Sequence, residues 1–163
     1  DCASVRFGAE ISSEGMNKRM GLTIRCRKTG RSMDMGGGGF LRLRRKVAEL
    51  AGGPFVPVYQ EVCAWYPGSN GETAEEFDAR IGAAVNEMLA AKQADIKIVD
   101  FLLQPDLEGC IRYGACKNIL RAIGDYDDDV FYGYVSHGDL ARFSQFRRIL
   151  EDCVETKSDM VWR

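Results

Sequence analysis

Four consecutive glycines, residues 36–39, precede a short run of basic side chains that includes Arg44. A helix that begins after such a turn presents unpaired N–H groups and a partial positive charge, and glycine lets a phosphate approach the backbone closely. The spacing is not that of a P-loop, because no Gly-Lys-Ser/Thr follows it. The pattern predicts an anion or nucleotide site, and the alternative is a mobile connection followed by a solvated basic helix face. The candidate residues are Gly37, Gly38, Arg42, Arg45 and Lys46.

A second cluster is the aspartate run at 125–129, in which Asp127 and Asp128 are the central carboxylates. Paired carboxylates can hold magnesium or act as acid and base, and a hydrolase could combine Asp127 and Asp129 with His137 and Asp139. Neighbouring carboxylates in a loop are also typical of a solvated surface. An acidic patch of this kind could instead occupy the basic nucleic-acid channel of a host nuclease.

Aromatic side chains follow the aspartate run directly. Tyr132 and Tyr134 flank a glycine, and His137, the single histidine of the chain, comes three residues later. Exposed tyrosines beside charged residues are typical of partner-binding surfaces and can also stack on a nucleic-acid base, whereas buried ones complete a core. Because there is one histidine, mechanisms that need two imidazoles are excluded.

The cysteines do not form a recognisable metal motif. The sequence holds six of them and no CxxC, and the spacing from Cys110 to Cys116 differs from that of a zinc knuckle. The segment 104–115 has the length of a calcium loop but ends in Ala115 instead of the required glutamate. The N-terminus carries no basic start followed by an apolar run. We therefore expect reduced thiols in a cytoplasm, and neither a metal nor a cofactor.

Composition bounds the class of protein. The chain has 163 residues, of which 45% are apolar and 28% charged, with a formal net charge of −2. These values are typical of one globular domain, which we assign to residues 1–163. The negative net charge argues against a broad nucleic-acid footprint. No apolar run is long enough to span a membrane.

Strands are predicted where apolar and polar residues alternate. Residues 5–11 and 20–26 both show this period of two, with a polar turn between them. They predict an antiparallel hairpin whose outer face is basic at Arg25 and Arg27. The segment 160–162 predicts a final strand that joins this hairpin.

Helical patterns occupy most of the remaining chain. They begin near Phe40, after Thr73 with a capping box to Glu76, and around Cys116, and a last helix is predicted to be capped by Asp139. Residues 96–103, after a capping Asp95, favour a helix, although a strand fits their apolar run as well. Residues 54–71, interrupted by three prolines, predict an extended segment. The predicted fold is α+β, with a small antiparallel sheet packed against four to five helices.

Several strings together resemble a small protein family encoded by bacteriophages and prophages. The match covers about residues 20–163, and residues 1–19 look like an extension. The family has no established activity, so the resemblance implies a phage or mobile-element origin. The family's Ser-Asp-Cys-Asp-Gly string is replaced here by residues 104–109, Gln-Pro-Asp-Leu-Glu-Gly. The strings are MGLTI (20–24), KTGRS (28–32), VDFL (99–102), YGACK (113–117), GDYDD (124–128) and MVW (160–162).

These observations favour a non-enzymatic accessory protein that acts in the cytoplasm of a host cell. We expect it to bind and antagonise a host protein or nucleoprotein complex, as an inhibitor of a defence system of the anti-CRISPR kind would. The alternative function is sequestration of a nucleotide signal at the glycine-rich turn and basic helix.

Overall fold

A computed structural model describes residues 22–133 and 141–163 of the chain. Four strands and six α-helices follow one another in these residues. The strands are β1 (Leu22–Cys26), β2 (Ser32–Met35), β3 (Gly109–Ile111) and β4 (Met160–Trp162). The helices are α1 (Gly37–Ala51), α2 (Phe55–Ala64), α3 (Ala74–Ala90), α4 (Ile96–Leu103), α5 (Tyr113–Ile123) and α6 (Phe143–Thr156).

The strands form one antiparallel sheet in the order β2-β1-β4-β3. Alternation in β1 buries Leu22, Ile24 and Cys26 and leaves Arg25 exposed, because successive side chains of a strand point to opposite faces. The predicted α+β class, the hairpin near the start of the sheet and the joining strand at 160–162 are confirmed.

Helices cover one face of this sheet. The last helix, α6, packs against β1, β2 and β4, and α5 lies between α6 and α1. Helix α2 packs on α1, and α3 packs on α2 at the periphery. The rings of Phe40, Phe101, Phe146 and Trp162 meet in the centre of the single hydrophobic core. Within the described ranges, no helix has the length and apolar character needed to cross a bilayer.

The glycine run does not form the flexible bend that its composition suggests. Helix α1 begins at Gly37, with Gly36 as its N-cap. At Gly39 a Cβ atom would overlap the carbonyl oxygen of Tyr132, so glycine is required there by the close approach of another segment. The prediction of a mobile connection at residues 36–39 is therefore wrong. The contact that requires glycine at position 39 comes from Tyr132, which is distant in the sequence, so the local composition could not reveal it.

The prediction of an extended segment at 54–71 is also wrong over most of its length. Residues Phe55–Ala64 form α2, with Pro54 as the N-cap and Pro57 in the first turn. The first N–H groups of a helix have no partner within it, so proline costs no hydrogen bond at these positions. This helix brings the total to six instead of the four to five expected.

The hairpin and the last helix also differ from their predicted bounds. The hairpin partner of β1 is β2, in a segment predicted as a connection, whereas the predicted strand at 5–11 lies outside the described residues. Helix α6 has Arg142 as its N-cap, so the predicted cap at Asp139, itself outside the described residues, is wrong.

Several local predictions are confirmed. The capping box of α3 joins Thr73 and Glu76 through both of its hydrogen bonds, 2.9 and 3.1 Å long. Asp95 caps α4 by accepting a hydrogen bond from the N–H of Lys97 at 2.9 Å. Residues 96–103 are helical, and α5 ends before Gly124.

Candidate functional site

The structure brings part of the basic face of α1 against the aspartate run. We refer to residues 124–133, which connect α5 to the segment before α6, as the acidic loop. Arg42 donates a hydrogen bond to the carbonyl oxygen of Phe131 at 3.1 Å. The Lys46 ammonium lies 5.3 Å from the ring centroid of Tyr126. It also forms an ion pair with Glu49 at 3.2 Å, and the hydrogen bond to Glu49 raises the pKa of Lys46. Two of the predicted anion-binding side chains are therefore engaged by the protein itself.

The other predicted members of that site face solvent. Gly37, Gly38 and Arg45 are exposed on the first turns of α1. Space is open around both glycines, and the Arg45 side chain makes no hydrogen bond or ion pair within residues 22–133 and 141–163. Gly37 and Gly38 form the first turn of α1 instead of a loop that wraps around a phosphate.

The carboxylate of Asp128 accepts three hydrogen bonds from other residues of the acidic loop. Its Oδ2 accepts hydrogen bonds from the hydroxyls of Tyr126 at 2.9 Å and Tyr132 at 2.6 Å. Its Oδ1 accepts the backbone N–H of Val130 at 3.1 Å. Burial, and then the hydrogen bond to Asp128, raises the pKa of both tyrosines, so their hydroxyls remain donors. Asp128 and Tyr132 thus stabilise the loop, and Tyr132 is 2% exposed.

Two further arginines fix the loop to α6. Arg147 donates to the carbonyl oxygens of Gly124, at 3.3 Å, and of Tyr126. The guanidinium carbon of Arg142 lies 5.3 Å from the ring centroid of Phe131. With the bond from Arg42, charged donors from α1 and α6 bind backbone carbonyl groups of the loop.

The remaining side chains of the acidic loop point outward. Val130 and Phe131 are 43% and 40% exposed, and we refer to this adjacent pair as the apolar tip of the loop. Three exposed carboxylates precede the tip in the same loop, and these are Asp125, Asp127 and Asp129. On its other side, the guanidinium of Arg142 lies against the ring of Phe131.

The structure gives no support to a hydrolytic metal site in the acidic loop. No group of three or more His, Cys, Asp or Glu residues in the described ranges is arranged to hold a metal ion. Asp127 uses its Oδ1 to accept the backbone N–H of Asp128 at 2.9 Å. The predicted site residues Tyr134 and His137 lie outside the described residues.

Arg44 is buried, in contrast to the other basic residues of α1. It is 1% exposed, and its Nη1 donates to the carbonyl oxygen of Gln104 at 2.8 Å and to Asp106 at 2.7 Å. Its Nε and Nη2 have no hydrogen-bond partner among the described residues. Burial lowers the pKa of this guanidinium. Three rings enclose it at 4.1–5.4 Å, and they belong to Phe40, Phe101 and Trp162.

The outer edge of the sheet next to this arginine is closed by a side-chain amide. Gln104 accepts the N–H of Cys110 at 3.0 Å and donates to the carbonyl oxygen of the same residue at 2.8 Å. These are the bonds that a further strand would make to β3, so Gln104 occupies the position of a neighbouring strand.

Three thiols meet in the core behind the sheet. Cys26, Cys116 and Cys153 come from β1, α5 and α6, and all three are fully buried. The hydrogen bond to Cys116, followed by burial, raises the pKa of the Cys153 thiol. This favours the neutral form of Cys153. Burial raises the pKa of Cys26, but hydrogen bonds to Thr29, Cys153 and the backbone of Lys28 outweigh burial and lower this pKa to about 7.

A basic cleft on the uncovered face of the sheet contains a functional candidate that the sequence reasoning missed. Arg25 and Arg27 were predicted on this face, but Arg163 was not. The N–H and carbonyl groups of Arg163 and Thr23 bond to each other at 2.9 and 3.2 Å, which extends the pairing of β4 with β1. The alternation of β4 would have placed Arg163 on the same face as Val161.

No family model, curated protein or solved structure matches this chain. The resemblance to a phage-encoded family therefore stays a prediction.

Proposed function

We propose that the chain is a binding protein that recognises a macromolecular partner through the acidic loop. The observation that carries this proposal is the exposure of Val130 and Phe131 on a loop that Asp128 and the arginines Arg42 and Arg147 hold in place. Aromatic residues surrounded by a polar rim are the usual energetic centres of protein interfaces. A loop that is already ordered loses little conformational entropy on binding.

The charges of the loop specify the kind of partner surface. Exposed carboxylates at Asp125, Asp127 and Asp129 complement a basic surface, and the tip formed by Val130 and Phe131 requires an apolar recess within it. A basic nucleic-acid channel of a host protein or nucleoprotein complex has the first property. We propose that the partner is a host factor and that binding antagonises it. This choice follows the phage or mobile-element origin that the resemblance implies.

Site-specific photo-crosslinking tests this function. A photoreactive amino acid replaces Phe131 in one variant and Leu107, which is 84% exposed and lies far along the chain from the acidic loop, in a control variant. In lysate of the host cell, we expect a discrete crosslinked protein from position 131 and none from position 107. The purified crosslinked protein should then bind the wild-type chain directly.

Alanine substitutions measure the contribution of the tip. Phe131→Ala should weaken binding to that protein by about 30-fold or more, as loss of an aromatic centre worth about 2 kcal/mol would. Tyr66→Ala, a second exposed aromatic residue, should leave the affinity unchanged. Equal affinity of the wild type and Phe131→Ala would refute the assignment of the loop as the recognition surface.

A further inference from the structure

The face of the sheet that the helices leave uncovered forms a shallow basic cleft. Its volume is about 280 Å³, and it lies over β1, β4 and β3. Among the residues that line it are Arg25, Arg27, Glu108, Cys110, Val161 and Arg163. None of these belongs to the acidic loop, so an inference about the cleft goes beyond the proposed function and does not depend on it.

Strand register brings two of the arginines together. Arg25 lies opposite Val161, and Thr23 lies opposite Arg163, so Arg25 and Arg163 are diagonal neighbours on the same face. Such diagonal positions are about 7–8 Å apart, which is within reach of one ligand group for two long side chains. Two like charges at this separation repel each other unless an anion lies between them.

The charge of the cleft is not compensated within the described residues. Arg27 forms an ion pair with Asp159 at 3.0 Å, whereas neither Arg25 nor Arg163 is in an ion pair in the ranges that the structure describes. Because Asp159 neutralises Arg27, the cleft has the two guanidinium groups of Arg25 and Arg163 against the carboxylate of Glu108, a surplus of one positive charge. A phosphomonoester carries about −1.5 to −2 charges at neutral pH, and guanidinium groups match the geometry of its oxygens.

We propose that this cleft binds a small phosphomonoester of about the size of a nucleoside monophosphate. Arg25 and Arg163 donate to the phosphate oxygens. Val161 offers an apolar contact, and the exposed Glu108 can accept hydrogen bonds from hydroxyl groups of the esterified part. The cleft volume of about 280 Å³ lies just below the usual range for small-molecule sites, which favours a ligand no larger than a mononucleotide.

Titration with adenosine 5′-monophosphate and with inorganic phosphate tests this proposal. Binding is measured by calorimetry at low ionic strength, and the guanidinium Nε–Hε resonances are followed by NMR. We expect both probes to bind, the monophosphate more tightly, with shifts at Arg25 and Arg163. The double variant Arg25→Gln/Arg163→Gln should weaken binding by about tenfold or more.

A variant with the same change of net charge is the control. Arg121→Gln/Arg148→Gln removes two exposed arginines outside the cleft, and neither of these side chains has a partner within the described ranges. Its affinity for both probes should equal that of the wild type. The proposal is overturned if neither probe binds, if the cleft variant keeps wild-type affinity, or if the control variant loses as much affinity as the cleft variant. All four substituted positions are exposed, so the variants should remain folded.

Discussion

Replacing the buried Arg44 should reveal whether its charge or its volume stabilises the core. The guanidinium makes a hydrogen bond to the carbonyl oxygen of Gln104 and an ion pair with Asp106, whose side chain is 57% exposed. A hydrogen bond from a charged donor contributes about 1.5–3 kcal/mol, and an ion pair with an exposed partner contributes less than about 1 kcal/mol. Contact with the surrounding rings adds about 2 kcal/mol when the cation is desolvated.

The costs of burying this cation are of the same size. Removing a guanidinium from water costs several kcal/mol, and the Nε and Nη2 groups of Arg44 are left without partners among the described residues. Each unpaired buried donor costs about 1–3 kcal/mol. The polar losses therefore offset the polar gains or exceed them, and the volume that the side chain fills between three rings remains as its stabilising contribution.

Two substitutions separate these effects. Arg44→Ala leaves a cavity and should lower the free energy of unfolding by about 3 kcal/mol, within the range of large-to-small core changes. Arg44→Met fills the same volume without a charge and should stay within about 1 kcal/mol of the wild type. Arg44→Lys should be less stable than Arg44→Met, because an ammonium is strongly hydrated and cannot stack on the rings as a planar group does.

Urea denaturation followed by circular dichroism and by tryptophan fluorescence measures these differences. Coincident transitions by both probes justify the two-state treatment. A loss of about 3 kcal/mol in Arg44→Met, equal to that in Arg44→Ala, would refute the reasoning, because the charge itself would then provide the stability. Asp106→Asn serves as the control for the ion pair and should cost less than about 1 kcal/mol.

Three further predictions follow from neighbouring features. Gly38→Ala should stabilise the protein by about 0.5–1 kcal/mol in thermal unfolding, because the space around Gly38 is open. Gly39→Ala should destabilise the protein by more than about 2 kcal/mol, because the added Cβ atom would overlap the acidic loop. Gln104→Leu should lower the free energy of unfolding, measured in urea, by about 1–3 kcal/mol. It should also promote concentration-dependent association, because the edge of β3 becomes free. A monomeric variant of wild-type stability would contradict this prediction. The hydrogen bond from Arg31 lowers the pKa of Asp152. The pair of Asp152 and Arg31 therefore contributes about 0.5–1 kcal/mol to the free energy of unfolding above the usual pKa of an aspartate. This contribution is lost as the pH falls through the lowered pKa. Asp152→Asn should therefore be less stable than the wild type at neutral pH, and the difference should shrink as the pH falls through the lowered pKa; a difference that does not shrink in acid would contradict the linkage.

Local signals in the sequence predicted many of the elements correctly. The alternation of β1 and β4, the capping box at Thr73 and the cap at Asp95 each depend on residues a few positions apart. Such signals act through short-range hydrogen bonds and side-chain periodicity, which any fold must satisfy. The same reasoning failed at Pro57, where proline was treated as a breaker although the first turn of a helix accepts it.

The candidate sites could be predicted as residue types but not as arrangements. The run that contains Asp128 was recognised as acidic, but its role as an acceptor for two tyrosine hydroxyls depends on how the loop closes on itself. Arg44 has the same local pattern as its basic neighbours, and only its position against the core aromatic rings distinguishes it. Arg163 joins Arg25 because β4 pairs with β1, a contact between the two ends of the described chain.

The sequence by itself determined the strands β1 and β4, the helices other than α2, and which runs are basic or acidic, since those properties belong to neighbouring residues. Tertiary structure alone decided that α1 begins within the glycines and that two arginines converge on the uncovered face of the sheet. Both outcomes depend on contacts between segments far apart in the chain. Such contacts arise when the apolar faces pack together, and no short stretch of sequence encodes them.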